Sequence, residues 1–256
     1  MPKEYKNVLT QRSGYVLIIY LNRVERMNSL NLGIVRDLRD AFEDVQWDEA
    51  IKVVVLSGRG EKSFCAGLDL KERAQMNEEE ILLSREKEII PLFHYLGEFP
   101  KPIVGAINGV ALGGGAELAL VCDIRIAVPH ARFGQTEIRW GMIPSAGGCQ
   151  RLRIVAGLAT AKELVYTGRI VDAEEAYRLR IYDKIVPAEN LMSEALGLGN
   201  EIAQHSSYSL RQAKKVLDFG SGVFSLQAFD FEASKECFYR GEAMSGHKAF
   251  KRKEEA

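Results

Sequence analysis

The sequence lacks charge imbalance, paired cysteine motifs and long apolar runs, and each absence removes a class of function. Lys and Arg number 34 against 35 Asp and Glu, a net charge of -1. So balanced a chain has no global field to draw in nucleic acid or an anionic membrane surface. The four cysteines, Cys65, Cys122, Cys149 and Cys237, lie far apart without any C-x-x-C pair. That disfavours a zinc ribbon and a disulfide framework. Each reads as a small buried hydrophobe in a reducing compartment. His94, His130, His205 and His247 form no metal-ligand spacing, so no metal is expected.

No apolar stretch reaches membrane-spanning length. The N-terminal Met1-Pro2-Lys3-Glu4-Tyr5-Lys6 has neither an apolar signal core nor an Arg- and Ser-rich amphipathic stretch. A cytoplasmic protein without a membrane partner is expected. No Gly-Lys-Ser/Thr follows a glycine loop, and no G-x-G-x-x-G follows the first strand. P-loop and Rossmann nucleotide sites are thereby disfavoured.

What is present is an ordinary globular composition, 46% hydrophobic and 27% charged over 256 residues. This length supports one large domain, or a domain with an appendage. Short apolar runs at 16–21 (VLIIYL), 53–56 (VVVL), 103–107 (IVGAI) and 124–128 (IRIAV), each closed by turn residues, predict buried strands. Between them, 30–45 places Leu30, Ile34, Leu38, Ala41, Phe42 and Val45 on one helical face, opposite Arg36, Asp37, Arg39, Asp40 and Glu43. A second, more charged amphipathic stretch spans 78–96. Strands alternating with helices point to an α/β fold with covered sheets. From about Ala188 helical patterns dominate, at 189–204, 209–217 and 224–239. The apolar residues of the last stretch must pack on the core or on another subunit. The chain therefore divides into 1–188 and a helical region 189–256.

Three glycine-rich segments carry the chemistry. Residues 63–71 (SFCAGLDLK) follow one strand, and 108–120 (NGVALGGGAELAL) follow another. Gly113–Gly115 open a helical run, where the first N–H groups lack internal partners and the helix dipole favours negative charge. The loop is either an oxyanion site or a tight turn. Glu117 stands in an otherwise apolar stretch, so it is paired, exposed on one face, or kept for chemistry. The third segment, 133–148, sets Glu137 between two glycine turns.

Together these segments resemble the crotonase (enoyl-CoA hydratase/isomerase) superfamily. Asn22-Arg23, residues 64–71, Ala111–Glu117, Cys122-Asp123, Phe133–Glu137, residues 143–148 with Gln150-Arg151-Leu152, Ala161-Lys162-Glu163 and Thr167-Gly168-Arg169 fall in that family's order and spacing. The resemblance covers nearly the whole chain. It implies a spiral core of ββα units, followed by C-terminal helices that build trimers, commonly paired into hexamers. It implies an acyl-CoA thioester as substrate and no cofactor beyond the CoA that the substrate carries. The oxyanion hole maps onto the backbone N–H groups of Leu68 and Gly114. The hydratase branch's two catalytic glutamates map onto Glu117 and Glu137. Acyl-CoA contacts map onto Arg26, Ala66, Asp69, Leu70, Lys71, Gly113 and Ser145, with Phe250 and Lys253 reaching a neighbouring subunit's CoA.

Water adding across the conjugated double bond places enolate charge on the thioester oxygen, which two N–H donors would stabilise. One carboxylate takes a proton from water while an acid delivers one to the α-carbon. Two carboxylates about 5 Å apart, at an effective dielectric near 20, would repel by roughly 3 kcal/mol. That leaves one largely protonated nearer neutrality. The resemblance makes Glu137 the proton donor and Glu117 the group that positions and activates water. The isomerase branch commonly keeps only the carboxylate matching Glu137, so Glu117 favours hydratase.

Some positions depart from the family pattern. Val24 replaces a proline, Glu25-Arg26 a small or lysine residue, Ser145 a common glycine, and Arg139-Trp140 aliphatic residues. Isomerase or hydrolase chemistry on an acyl-CoA is the nearest alternative. Residues 69–76 (DLKERAQM) resemble the methylglutaconyl-CoA hydratase branch, one member of which binds AU-rich RNA through a lysine-lined helix. Here the matching 30–45 helix mixes both signs of charge, which does not suit several phosphates. A trimeric scaffold with a dead site is the third alternative, against which the intact glutamates and glycines argue.

Overall fold

The computed structural model describes residues 4–219, together with Phe231, Lys235 and Tyr239. Ten strands and ten α-helices are described. The strands are β1 (Val8–Ser13), β2 (Val16–Leu21), β3 (Val53–Gly58), β4 (Ser63–Cys65), β5 (Ile103–Ile107), β6 (Val110–Leu112), β7 (Ile124–Ala127), β8 (Arg132–Gly134), β9 (Val171–Asp172) and β10 (Lys184–Ile185). The helices are α1 (Leu32–Glu43), α2 (Leu70–Arg73), α3 (Glu78–Ser84), α4 (Ile90–Gly97), α5 (Gly114–Val121), α6 (Gly148–Ala156), α7 (Leu158–Thr167), α8 (Ala173–Arg178), α9 (Leu191–Ala203) and α10 (Ser207–Phe219).

The larger sheet has the order β1-β2-β3-β5-β7-β10 and the smaller β4-β6-β8-β9. From β2 to β10 the larger sheet is parallel, with β1 antiparallel on its edge. Chain order alternates between the sheets. β3 leads to β4 and then α2, β5 to β6 and then α5, and β7 to β8 and then α6. Each turn is thus a ββα unit, and stacking the turns builds the expected spiral. Every residue of β3 and β5 is buried, which explains why these strands read as continuous apolar runs rather than alternating ones.

The strands expected at 16–21, 53–56, 103–107 and 124–128 are present. The first helix begins at Leu32 rather than Leu30. Leu30 is instead spent on a parallel bridge to Leu68, and Asn31 caps the helix by accepting from the Ile34 N–H at 2.9 Å. The stretch 78–96 is helical but interrupted by a π-turn at Arg85–Ile89. Beyond β10 the described chain is helical. α9 lies against the larger sheet, where Gly199 comes close to Val16 and Val53. The helix expected at 224–239 lies outside the described residues.

Burial follows chemistry for the cysteines, since Cys65 and Cys122 are buried and Cys149 is half-buried. Among the described residues no cluster of His, Cys, Asp and Glu could hold a metal ion. Nor is any described helix long and apolar enough to cross a membrane.

Candidate active site

Two loops meet where the spiral's second and third turns touch. The first is 66–69. Its register is fixed by Leu30, whose N–H donates to the Gly67 carbonyl at 2.7 Å and whose carbonyl accepts from the Asp69 N–H at 3.0 Å. This bridge does not use the N–H of Leu68. The second loop is Gly113 and the start of α5. Gly113 has φ 52° and ψ -125°, a conformation that suits glycine alone. Gly114 is the first residue of α5, so its N–H has no acceptor within the helix. A Cβ added at Gly67 would lie 3.5 Å from the Gly114 nitrogen, and one at Gly114 would lie 3.6 Å from Leu68 Cγ. The two segments that carry the predicted oxyanion amides are therefore in contact.

Asp69 anchors the first loop instead of facing the cavity. Its carboxylate takes a 2.8 Å ion pair from Arg23, and accepts from the N–H groups of Lys71 (3.0 Å) and Glu72 (3.2 Å) as the cap of α2. Burial pushes this carboxyl up, but the Arg23 bond and the two amides outweigh it and hold it below the usual range. Arg23 also donates to the Ser29 carbonyl at 2.6 Å, tying the loop to the segment before α1.

Glu117 sits on α5, all eight residues of which are buried. Burying a carboxylate there is costly unless it is satisfied. The turn before α6 supplies two donors. The N–H groups of Ala146 (2.7 Å) and Gly148 (3.0 Å) both converge on Oε1. Burial pushes the carboxyl up to about 7, against the pull of these amides and of the Arg85 and Arg151 charges. Gly148 must be glycine, because a Cβ there would stand 2.8 Å from both Cγ and Oε1 of Glu117.

Glu137 opens a 3-10 turn at Glu137–Trp140. Both of its carboxylate oxygens are shielded from solvent, and among the described residues neither has a hydrogen-bond partner. A Cβ on Gly113 would lie 3.5 Å from its Oε1, so the carboxylate faces the Gly113 loop. Burial first, and the Glu117 charge second, hold the Glu137 carboxyl well above the usual range. Mutual repulsion is thus the smaller cause of the high values, and desolvation the larger.

Ala66, Leu68, Leu70, Gly113, Gly114, Glu117, Glu137 and Ser145 line one cavity of about 80 Å³. Ser145 is buried, and its Oγ accepts from the Arg85 guanidinium. Arg26 and Lys71 are exposed and lie outside the cavity wall. Phe250 and Lys253 lie outside the described residues. Trp140, noted in the sequence only as a departure from the family pattern, also lines the cavity, as do Arg73, Arg85, Thr136 and Met142, which the sequence does not single out. The two arginines fall in charged helical stretches, where a cation ordinarily faces solvent. No residue spacing marks them as turned inward.

Two buried glutamates with raised carboxyls, in one cavity with Leu68 and Gly114, suit acid–base chemistry next to a developing oxyanion. Known proteins carry the same arrangement of chain. The enoyl-CoA hydratase/isomerase family profile matches residues 11–255. The short-chain-enoyl-CoA hydratase of Clostridium acetobutylicum is 36% identical, over 92% of this chain and 90% of its own. The crotonyl-CoA hydratase of Syntrophomonas wolfei is 34% identical, over 98% and 97%. The crystal structure of an enoyl-CoA hydratase from Bacillus anthracis superposes with a TM-score of 0.82 at 37% identity, covering 97% of each chain. The match runs through the spiral turns that bring Glu117 and Glu137 to one cavity, and the chain belongs to the enoyl-CoA hydratase/isomerase family.

Proposed function

We propose that the chain is an enoyl-CoA hydratase, which adds water reversibly across the 2,3 double bond of a CoA thioester. The observation that carries this reading is Glu117. It is a second carboxylate, held by two amides in the cavity it shares with Glu137. An isomerase that moves one proton along the acyl chain has no need of it.

In this reading the thioester oxygen accepts from the N–H groups of Leu68 and Gly114. Each donor contributes about 3 kcal/mol to holding the enolate charge. Glu117 is anchored through Oε1, which leaves Oε2 to orient water and take its proton as the new bond forms to the β-carbon. Glu137, whose carboxyl is held well above the usual range by burial and by the Glu117 charge, delivers a proton to the α-carbon. One water is consumed, and proton exchange between the two carboxyls resets the site. The pair titrates as a unit. The CoA enters as part of the substrate, and no resident cofactor or metal takes part.

Ala66, Leu70, Gly113 and Ser145 border the acyl group as cavity residues. Arg26 and Lys71 are placed to meet the exposed part of CoA, and Asp69 acts by holding the loop. The helical region from 189 onward builds a homotrimer or a dimer of trimers, in which Phe250 and Lys253 reach a neighbour's CoA. The protein is placed in the cytoplasm. RNA binding by α1 is disfavoured, because Arg36 and Arg39 are engaged by Glu88 (2.6 Å) and Glu43 (2.7 Å).

Crotonyl-CoA in heavy-oxygen water tests the reaction class. The product expected is 3-hydroxybutyryl-CoA labelled at the β-hydroxyl. A shifted double bond without label, or release of free CoA, would replace the hydratase reading with an isomerase or hydrolase.

A further inference from the structure

Arg85 is a buried charge to which the hydration steps give no task. It opens the π-turn between α3 and α4 and is 5% exposed. On the inward face of this stretch it stands between Ile81 and Ile89, both buried. A guanidinium there loses its water shell, and an apolar side chain of similar size would pack without that cost. Its Nη2 donates to the Oγ of Ser145, 60 residues further along the chain.

That bond lies one residue from the carboxylate's anchor. Ser145 is 2% exposed, and the N–H of the next residue, Ala146, donates to Glu117 Oε1 at 2.7 Å. The Ala146 carbonyl accepts from Arg151 at 2.9 Å. This turn has little regular backbone to hold it. Pro144 carries no N–H, and Gly147 has a left-handed φ of 89°. The turn that holds Glu117 is therefore gripped by the Ser145 side chain on one side and the Ala146 carbonyl on the other. The glycine common in the family at position 145 would offer Arg85 no Oγ.

We propose that Arg85 is a positioning residue for Glu117, acting through Ser145 to fix the turn whose amides hold the carboxylate. The statement rests on the hydratase reading for the reaction that Glu117 serves. The charge of Arg85 has a second effect. Arg73, Arg85, Glu117 and Glu137 share the cavity wall, and the Arg151 charge also reaches Glu117. Arg85 favours the ionised form of both glutamates against burial. Burial, and then the Arg85 charge, lower Arg73 to about 9, against the pull of Glu72, so Arg73 titrates above the range that concerns the glutamates.

Steady-state hydration of crotonyl-CoA by the full chain, measured between pH 5 and pH 8, tests the role. Arg85→Met removes the bond and the charge. Its kcat is expected to fall at least about tenfold with KM close to the parent's, and the acid limb of its kcat profile to move to higher pH. Ser145→Ala removes only the bond, so kcat falls and the acid limb stays. Arg85→Lys keeps the limb in place and recovers part of kcat. The double variant Arg85→Met with Ser145→Ala is expected to be no slower than Arg85→Met alone, because both act through one contact. Losses that multiply, Ser145→Ala at the parent's rate, or a raised KM with kcat unchanged each overturn the positioning role and leave the hydratase reading standing. If Arg85→Met does not fold, Ser145→Ala decides. A folded parent that hydrates no enoyl-CoA overturns the hydratase reading instead. Urea unfolding then decides the role of Arg85: the pH at which stability is lost should be higher in Arg85→Met than in the parent, and an unmoved pH overturns the proposal.

Discussion

Replacing Glu117 with glutamine should make the protein more stable at pH 8 and flatten its stability between pH 5 and pH 8. In the native state burial lifts this carboxyl from 4.5 to about 7. The folded chain therefore holds the proton more tightly than the unfolded chain. The resulting stability is fully present below the unfolded value and is lost as pH rises through about 7. The difference corresponds to about 3 kcal/mol at its limit. Because the side chain is buried, solvent screening removes little of it. Glutamine is isosteric, and its Oε1 can still accept from Ala146 and Gly148. Removing the Glu117 charge also relieves Glu137, whose carboxyl should ionise more readily. Urea unfolding midpoints at fixed protein concentration, measured across the pH range, test this. If Glu117→Gln and the parent lose stability with the same slope, the carboxyl is not desolvated as described.

Gly148→Ala sets a methyl 2.8 Å from Oε1 of Glu117, and turnover should fall at least about tenfold in a chain whose circular dichroism is unchanged. Arg23→Ala frees Asp69 and loosens the Leu68 loop. The kcat for crotonyl-CoA should drop about tenfold, with Arg23→Lys recovering part of it. Gly115→Ala would bring a Cβ within 1.9 Å of the Cys65 carbonyl oxygen, so soluble expression should fail. Gly197→Ala meets open space within α9 and should raise the unfolding midpoint, by about 0.5–1 kcal/mol in stability.

The sequence made the buried strands and the glycine turns legible because each writes a local signature. β3 and β5 are covered on both faces, so their apolar runs are unbroken. Gly113 needs its left-handed backbone, and Glu117 stands out against an apolar helix. The smaller sheet was less legible. β4, β6 and β8 have three residues each, too few for a period. The end of α1 at Leu30 was misread, since a bridge formed with distant Leu68 decides it. The inward turn of Arg73 and Arg85 was not legible at all. It depends on how α2 and the π-turn fold over the cavity, and a charged helical stretch reads the same with either face inside.

The central claim is that Glu117 and Glu137 form the acid–base pair of a hydration. Loss of enoyl-thioester absorbance from crotonyl-CoA, followed with the parent chain, Glu117→Gln and Glu137→Gln, measures it most directly. The pair predicts turnover by the parent and a fall of at least about a hundredfold in each variant. Unchanged turnover in either variant, or none in a folded parent chain given a panel of straight, branched and carboxylate-bearing enoyl-CoAs, would contradict it.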